Sequence, residues 1–263
     1  KSQPLRKWVK VSLEVALNSM GGDAPSTAAP AGESLSADRA EAPMCCGEDF
    51  SESTADVLLE LAYAEEFGKT GHSLAGHAIE EADIATAISS GSGSSLLYGE
   101  LLPAGVAQLA KALLADHVDL VRSGPVLELG MGTGKVALQL FFSLRRDVYG
   151  VELAPSRWSL ATMAAKRVAS AAPSRFRYEE LRESAARLVD TTSDRVCDLV
   201  LGSLLDTPTQ LLSTAAAVVM EVCLPKDVQR QACQMLQHCA AGCRTVCYAP
   251  LHGLAVGCRL LPP

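Results

Sequence analysis

A glycine-rich turn between two apolar runs, within residues 126–152, constrains the fold more than any other part of this sequence. The first run is Val126–Leu129, and a segment with helical composition, 135–144, follows the turn. The second apolar run ends in Glu152. The three glycines of the turn occupy alternate positions: Gly130, Gly132 and Gly134. A strand, a glycine turn, a helix and a second strand in this order are typical of a nucleotide-binding α/β unit.

The rest of the chain continues the alternation of strand and helix patterns. We predict strands at 125–129, 147–152, 196–201, 216–221 and 244–248, and helices at 134–145, 156–170 and 227–240. Short turns between these elements favour an α/β fold with a doubly wound, mostly parallel, Rossmann-like sheet. The segment from 175 to 187 is interpreted as a charged connection.

Three regions follow from composition and periodicity. Residues 1–50 are predicted to be a flexible N-terminal segment, whose first 18 residues form a small helix or the remnant of a targeting segment. Residues 51–116 are predicted to form a helical subdomain, with helices from about residue 53, at 77–89 and at 104–116. Residues 117–263 then form the α/β domain.

Two carboxylates stand at the ends of the first two predicted strands. A ligand of a doubly wound sheet binds outside the carboxyl ends of its strands. At that place Glu128 can bond a cationic α-amino group, directly or through water, and Glu152 can accept bonds from two ribose hydroxyls. The glycines permit close approach of the backbone, and the amides that open the next helix point at the ligand. Together these groups favour S-adenosylmethionine (SAM) as the cofactor.

Two alternatives remain open at this point. Dinucleotide-binding enzymes share the glycine turn, and a strand-turn-helix unit also occurs where no ligand binds. SAM is favoured because dinucleotide loops rarely place an acid two residues before the first glycine and have no amino group to bind. The sequence also has no signature of hydride transfer.

Charge is distributed unevenly along the chain. Residues 33–100 carry 14 acidic and 2 basic residues, whereas residues 101–263 carry 17 basic and 14 acidic residues. An acidic surface disfavours nucleic acid and favours a basic partner, with an ordinary solvated face as the alternative. No apolar run approaches the roughly 20 residues of a membrane span, so we expect no membrane association.

The nine cysteines include no Cys-x-x-Cys pair. We predict small buried thiols in a reducing compartment rather than a disulfide framework. Cys239 and Cys243 lie four residues apart beside His238, but structural zinc sites prefer close pairs with a second pair beyond. The sequence therefore predicts no metal site.

Two short motifs resemble the Dot1 family of histone lysine methyltransferases, whose catalytic domain has the class I methyltransferase fold. The first is Tyr98-Gly99-Glu100 with the helix after it, upstream of the glycine turn by about thirty residues. The second is Tyr149-Gly150-Val151-Glu152, which matches the family's second strand. The resemblance covers roughly residues 96–251.

The resemblance implies a role for each matching residue. Tyr98, Gly99 and Glu100 would form a lid over SAM, and Glu152 would hold the ribose. Lys135, where the family has Gln, would pair the methionine carboxylate, and Ser203 and Leu204 would flank the adenine. The residues around the methionine part would be Glu128, Gly130, Gly132 and Lys135, with Gly134 completing the cofactor-binding turn.

The chain departs from the family in two segments. The family's Asn-Asn-Phe segment beside the transferred methyl group is replaced by Glu221-Val222-Cys223, and its Asp-Phe at the third strand by Ser203-Leu204. Glu221 is the candidate catalytic residue, which would contact the incoming amine.

The resulting prediction is a SAM-dependent protein-lysine N-methyltransferase of Dot1-like type that acts on a histone. The alternatives are a catalytically degenerate scaffold subunit and a methyltransferase with a non-histone substrate. The expected partner is a basic protein, a histone or a nucleosome, and the expected location is nuclear, with cytoplasmic or mitochondrial as alternatives. Direct binding of nucleic acid stays open; the candidate basic residues are Lys166, Arg167, Arg175 and Arg177.

Overall fold

The computed structural model describes residues 12–15, 52–64, 66, 69, 73–90, 96–114, 124–247 and 258–261. Its helices are α1 (Glu52–Ala62), α2 (Glu81–Ser89), α3 (Pro103–Leu114), α4 (Lys135–Leu144), α5 (Pro155–Ala171), α6 (Thr209–Thr214) and α7 (Lys226–Leu236). Short 3-10 helices cover Ala75–His77 and Leu204–Asp206. Helices α1, α2 and α3 form the predicted helical N-terminal segment. None of the helices in the described part is long and apolar enough to cross a membrane.

A seven-stranded sheet forms the centre of the fold. Its strands are β2 (Val126–Leu129), β3 (Val148–Glu152), β4 (Phe176–Arg182), β5 (Ala185–Asp190), β6 (Arg195–Leu201), β7 (Ala217–Met220) and β8 (Arg244–Cys247). Two further strands, β1 (Ser12–Val15) and β9 (Cys258–Leu261), pair in a separate two-stranded sheet. The order in the sheet is β4-β5-β6-β3-β2-β7-β8, and the five strands from β6 to β8 are mutually parallel. This topology confirms the predicted doubly wound, mostly parallel α/β fold with helices on both faces.

Two hydrophobic clusters cover the two faces of the sheet. Alternate residues of β2 contribute to different clusters, because successive side chains of a strand point to opposite faces. Val126 joins the cluster that α1, α3, α4 and α5 complete, and Leu127 and Leu129 join the cluster that α7 completes. Each fully buried Leu contributes about 1.5–3 kcal/mol. This packing fixes the carboxyl end of β2, where the glycine turn begins.

Strands β4 and β5 form an antiparallel hairpin in the segment predicted to be a charged connection. That interpretation was wrong because β4 lies at the edge of the sheet and its residues between Arg177 and Arg182 are mostly solvent-facing. Cross-strand contacts specify the pairing instead: Arg187 of β5 lies opposite Asp198 of β6 and binds it through two hydrogen bonds of 2.6 and 2.9 Å. Cross-strand pairing, rather than an apolar pattern within each strand, decided this element.

Two helix boundaries and one N-terminal element differ from prediction. Helix α2 begins at Glu81 rather than 77, because Asp83 accepts a hydrogen bond from the backbone amide of Glu80 and caps the helix there. Helix α7 ends at Leu236 rather than 240, where tighter turns take over before Gly242 at φ 85°.

Within residues 1–18, expected to be a helix or a targeting remnant, Ser12–Val15 is a strand paired with β9. The rest of the predicted flexible segment lies outside the described residues.

A carboxylate from α2 caps the α/β domain's longest helix. The residue before α5 is Ala154, which has no capping side chain, and Asp83 instead accepts from the Ser156 amide at 3.0 Å and hydroxyl at 2.7 Å. Burial acts to raise the pKa of Asp83, but the hydrogen bonds from Glu80 and Ser156 outweigh it and lower the pKa. Asp83 therefore fastens the helical N-terminal segment to α5.

Replacing Asp83 with asparagine is expected to lower the free energy of unfolding by about 0.5–2 kcal/mol near neutral pH, as for loss of a helix cap. Because the pKa is lowered by folding, this contribution is complete above the unfolded value of about 3.9 and is lost as pH falls through the folded value. Urea unfolding at pH 7 and at pH 3 measures the difference, with the exposed Glu81→Gln as control. If Asp83→Asn lowered the free energy of unfolding equally at both pH values, the result would contradict the role of the charged cap.

Candidate functional site

The carboxyl ends of the central parallel strands open into one pocket. It is bounded by the glycine turn after β2, the ends of β3 and β7, the 3-10 turn at Leu204–Asp206 and the segment 97–101. Eleven of the twelve predicted site residues line it: Tyr98, Gly99, Glu100, Glu128, Gly130, Gly132, Lys135, Glu152, Ser203, Leu204 and Glu221. Gly134 lies outside the lining and packs on α5, where an added Cβ would stand 2.8 Å from the Ala161 Cβ.

Gly132 is the glycine of the turn that lies against the Tyr98 ring. Its φ of 57° lies in the left-handed region, and an added Cβ would stand 2.8 Å from Cε2 of Tyr98. The Tyr98 hydroxyl lies 2.9 Å from Oγ1 of Thr133 and donates to the Glu100 carboxylate. The predicted lid therefore lies against the glycine turn, and its predicted contact with a cofactor stays a prediction.

Lys135 has partners that the sequence did not indicate. Its ammonium lies 2.8 Å from the Glu66 carboxylate and 2.7 Å from the Glu100 carboxylate. These two bonds join the start of α4 to the lid and to the residues after α1. The predicted pairing of Lys135 with the carboxylate of the cofactor stays a prediction. Two carboxylates already balance its charge, which weakens the attraction for a third.

Glu152 is buried at the end of β3 and supports the glycine turn directly. Oε2 accepts the Gly132 amide at 2.8 Å, and Oε1 accepts the Ala154 amide at 2.9 Å. Burial raises the pKa of Glu152, although these amide bonds act in the opposite direction. Each carboxylate oxygen keeps one further lone pair, so the predicted role in holding a ribose stays a prediction consistent with this geometry.

Glu128 is the least satisfied polar group of the pocket. Its side chain is buried, and Oε2 accepts no hydrogen bond from any residue in the described part of the chain. Burial raises its pKa well above the ordinary glutamate value, and the charges of Glu221 and Glu152 raise it further. A hydrogen bond from the Ala137 amide acts in the opposite direction on the pKa. A buried carboxylate oxygen without a partner is costly, so this site favours a cationic group supplied by a ligand.

Glu221 follows β7, the strand paired with β2, and lines the same pocket. Burial raises its pKa to about 7, and next to it Val222 packs against Gly130. After β6, Ser203 accepts the Leu205 amide at 3.2 Å and so caps the 3-10 turn that contains Leu204. The predicted catalytic and adenine-flanking residues thus face the same pocket, and their functions stay predictions.

Several residues of the site carried no recognisable motif. Tyr63, just after α1, donates to the Thr133 carbonyl at 2.8 Å, and Glu66 binds Lys135. Arg157 in the first turn of α5 is buried and lines the pocket. Tyr63 and Glu66 stand in a helical segment far from the glycine turn in sequence. Gly150 belongs to the Tyr149-Gly150-Val151-Glu152 motif, but the sequence did not explain why a glycine is needed there. In the structure an added Cβ would strike the side chain of Met131 in the glycine turn.

The four basic residues considered for a DNA-facing surface all have partners within the chain. Lys166 pairs with Glu180, Arg175 with Asp190 and Arg177 with Glu179, while Arg167 donates to the Ala62 carbonyl. Neighbouring carboxylates therefore offset the charges of Lys166, Arg175 and Arg177, whereas Arg167 is bound to a neutral carbonyl. Among the residues that the structure describes, no group of three or more His, Cys, Asp or Glu side chains is placed to hold a metal ion.

Comparison with known proteins gave matches among solved structures alone. No protein family model matches the chain, and no curated protein does. Trm1 from Pyrococcus horikoshii, in complex with S-adenosyl-L-methionine, is 12% identical with a TM-score of 0.35, over 51% of this chain and 34% of that protein. A geranyl diphosphate methyltransferase in complex with GPP and sinefungin is 16% identical with a TM-score of 0.36, over 66% of this chain and 62% of that protein.

The chain therefore spans less than two thirds of the length of either protein. At these values the likeness says nothing about the ligand or the reaction of this chain, which must be inferred from its own residues.

Proposed function

We propose that this pocket binds SAM and that the chain is a protein-lysine N-methyltransferase of Dot1-like type, acting on a basic protein such as a histone. The observation that carries the proposal is the excess of buried carboxylates in the pocket. Glu128 has an unsatisfied oxygen, and Glu221 has its pKa raised to about 7. The lysine of the pocket, Lys135, is already bound to two other carboxylates.

This charge distribution fits SAM better than the alternative nucleotides. SAM has two cationic groups, an ammonium and a sulfonium, which suit a pocket with surplus negative charge. The pyrophosphate of NAD or FAD would instead add negative charge near Glu128, Glu152 and Glu221, at a cost that grows as the pocket loses water. The chain would hold the ammonium at Glu128, the ribose at Glu152 and the adenine beside Leu204.

The reaction asks little covalent chemistry of the protein. SAM supplies a methyl group that its sulfonium already activates. The residues of the chain orient the acceptor amine, exclude water and accept the proton that the ammonium must lose. Glu221 suits the last task, because a carboxylate with a pKa of about 7 is a stronger base than an ordinary glutamate. Desolvation in the same pocket lowers the pKa of the incoming amine, so that the pKa values of the amine and of Glu221 become more similar.

The surface charge of the helical N-terminal segment supports a basic protein as the acceptor. Asp56, Glu60, Glu80 and Glu81 are all exposed on α1, on α2 or just before it. Lys69 is the single Lys or Arg between residues 52 and 102. This segment also contributes the lid, so a cationic acceptor that approaches the lid side of the pocket meets a favourable field.

Binding of SAM is expected to release a proton from Glu128. The ligand-free pKa of Glu128 is raised, and the carboxyl must be ionised to hold an ammonium, so affinity should rise with pH and then level off. Calorimetric titration in two buffers of different ionisation enthalpy measures the released proton. Glu128→Gln should weaken binding about tenfold or more and remove the proton release, since a charged hydrogen bond is lost.

Glu183→Gln in the exposed hairpin turn is the matched control and should bind as the wild type does. No binding of SAM by the wild type at millimolar concentration would overturn the proposal and leave a scaffold role. If SAM binds, transfer of radiolabelled methyl groups to nucleosomes, free histones and non-histone extract identifies the acceptor. Labelling of non-histone proteins alone would refute the histone assignment.

A further inference from the structure

The ring of Tyr98 in the lid is enclosed by residues from three separate segments. Gly132 of the glycine turn and Gly76 of the 3-10 turn lie so close that a Cβ at either position would strike the ring. The Arg157 guanidinium lies 4.7 Å from the ring centroid, within cation-π distance, and His77 meets the ring edge-on at 5.1 Å. The lid is thus packed at a defined place and is not merely close to the pocket.

Arg157 joins these segments through its guanidinium. Nε donates to the Gly76 carbonyl at 2.9 Å, and Nη2 donates to the Leu96 carbonyl at 2.6 Å. The side chain is 5% exposed, so both bonds are made in a largely dry environment. Helix α5 begins three residues after Glu152, and Arg157 therefore ties the lid to the strand end that supports the glycine turn.

We propose that Arg157 is the positioning residue of the lid: it holds Tyr98 against the glycine turn and so sets the residence time of SAM. The effect on SAM rests on the proposed function, whereas the ordering of the lid does not. Lysine cannot replace it, because one ammonium cannot stack on the Tyr98 ring and also reach both carbonyls in the same geometry. Arg157 acts through Tyr98 and takes no part in moving the methyl group or the proton.

The lid itself is tested in the ligand-free protein by hydrogen exchange. In Arg157→Gln and Arg157→Lys, the amides of residues 96–100 should exchange about tenfold faster or more, because local opening becomes easier. Arg167→Gln is the matched control, since Arg167 lies on the same helix and also donates to a backbone carbonyl, that of Ala62. Circular dichroism and thermal melting establish that each variant is folded.

Binding of SAM gives the second measurement. Arg157→Gln should weaken SAM binding about tenfold, mainly through faster dissociation. Combining it with Tyr98→Ala should cost little more than Tyr98→Ala alone, because residues that act together are not additive. Unchanged lid exchange in folded Arg157→Gln, or additive losses in the double variant, would overturn the proposal. If the wild type does not bind SAM, the proposed function fails. The exchange measurement alone then decides whether Arg157 holds the lid in place.

Discussion

Replacing Glu221 with glutamine is expected to lower the rate of methyl transfer by about two to four orders of magnitude, the usual contribution of a positioned proton acceptor. Glutamine keeps the shape of the side chain but cannot accept the proton of a lysine ammonium. The affinity for SAM should change much less, because Glu128 and Glu152 remain. Single-turnover methyl transfer with SAM in excess measures the chemical step apart from binding.

The pH dependence of the same step gives an independent check. Burial raises the pKa of Glu221 to about 7, so the carboxylate form that accepts a proton increases as pH rises through about 7. The wild-type rate should therefore rise across pH 6–8, and Glu221→Gln should lose this limb. Asp227→Asn, an exposed carboxylate shortly downstream, serves as control. A full rate with the wild-type pH limb in Glu221→Gln would exclude Glu221 as the base.

Substitution of Gly132 is expected to have the second large effect, loss of SAM binding. An alanine there must adopt a φ of 57° and place its Cβ 2.8 Å from the Tyr98 ring. The backbone strain alone costs about 1–2 kcal/mol, and the displaced ring disturbs the lid as well. We expect Gly132→Ala to weaken SAM binding about tenfold or more, and Gly132→Arg to abolish it by filling the pocket.

A comparison with Gly202 separates the pocket from general effects on stability. Gly202 follows β6, and an added Cβ there would meet no atom within 4 Å. The Gly202→Ala variant should therefore bind SAM normally. Thermal melting of all three variants shows which of them are folded. Gly132→Ala keeps the test decisive if Gly132→Arg does not fold. Wild-type affinity in folded Gly132→Ala would show that the glycine turn is not the cofactor site.

The strands of the sheet could be predicted from the sequence where an apolar run coincides with a strand that is buried on both faces. Strands β2, β3 and β7 are apolar runs, because both faces of a central parallel strand are covered. The hairpin of β4 and β5 was missed, because the edge strand β4 does not need that pattern. The register of β5 on β6 depends on pairs such as Arg187 with Asp198. Helix ends moved by several residues because caps such as Asp83 depend on side chains placed by the fold.

The sequence by itself determined the α/β architecture and the presence of two acids beside a glycine turn. Those features follow from periodicity and from backbone requirements that act within a few residues. Only the tertiary structure decided the partners of Lys135, the contacts of Arg157 with the lid and the lack of a partner for Oε2 of Glu128 among the described residues. Each depends on residues distant in the chain and on burial, and electrostatic effects become strong only after folding has removed water.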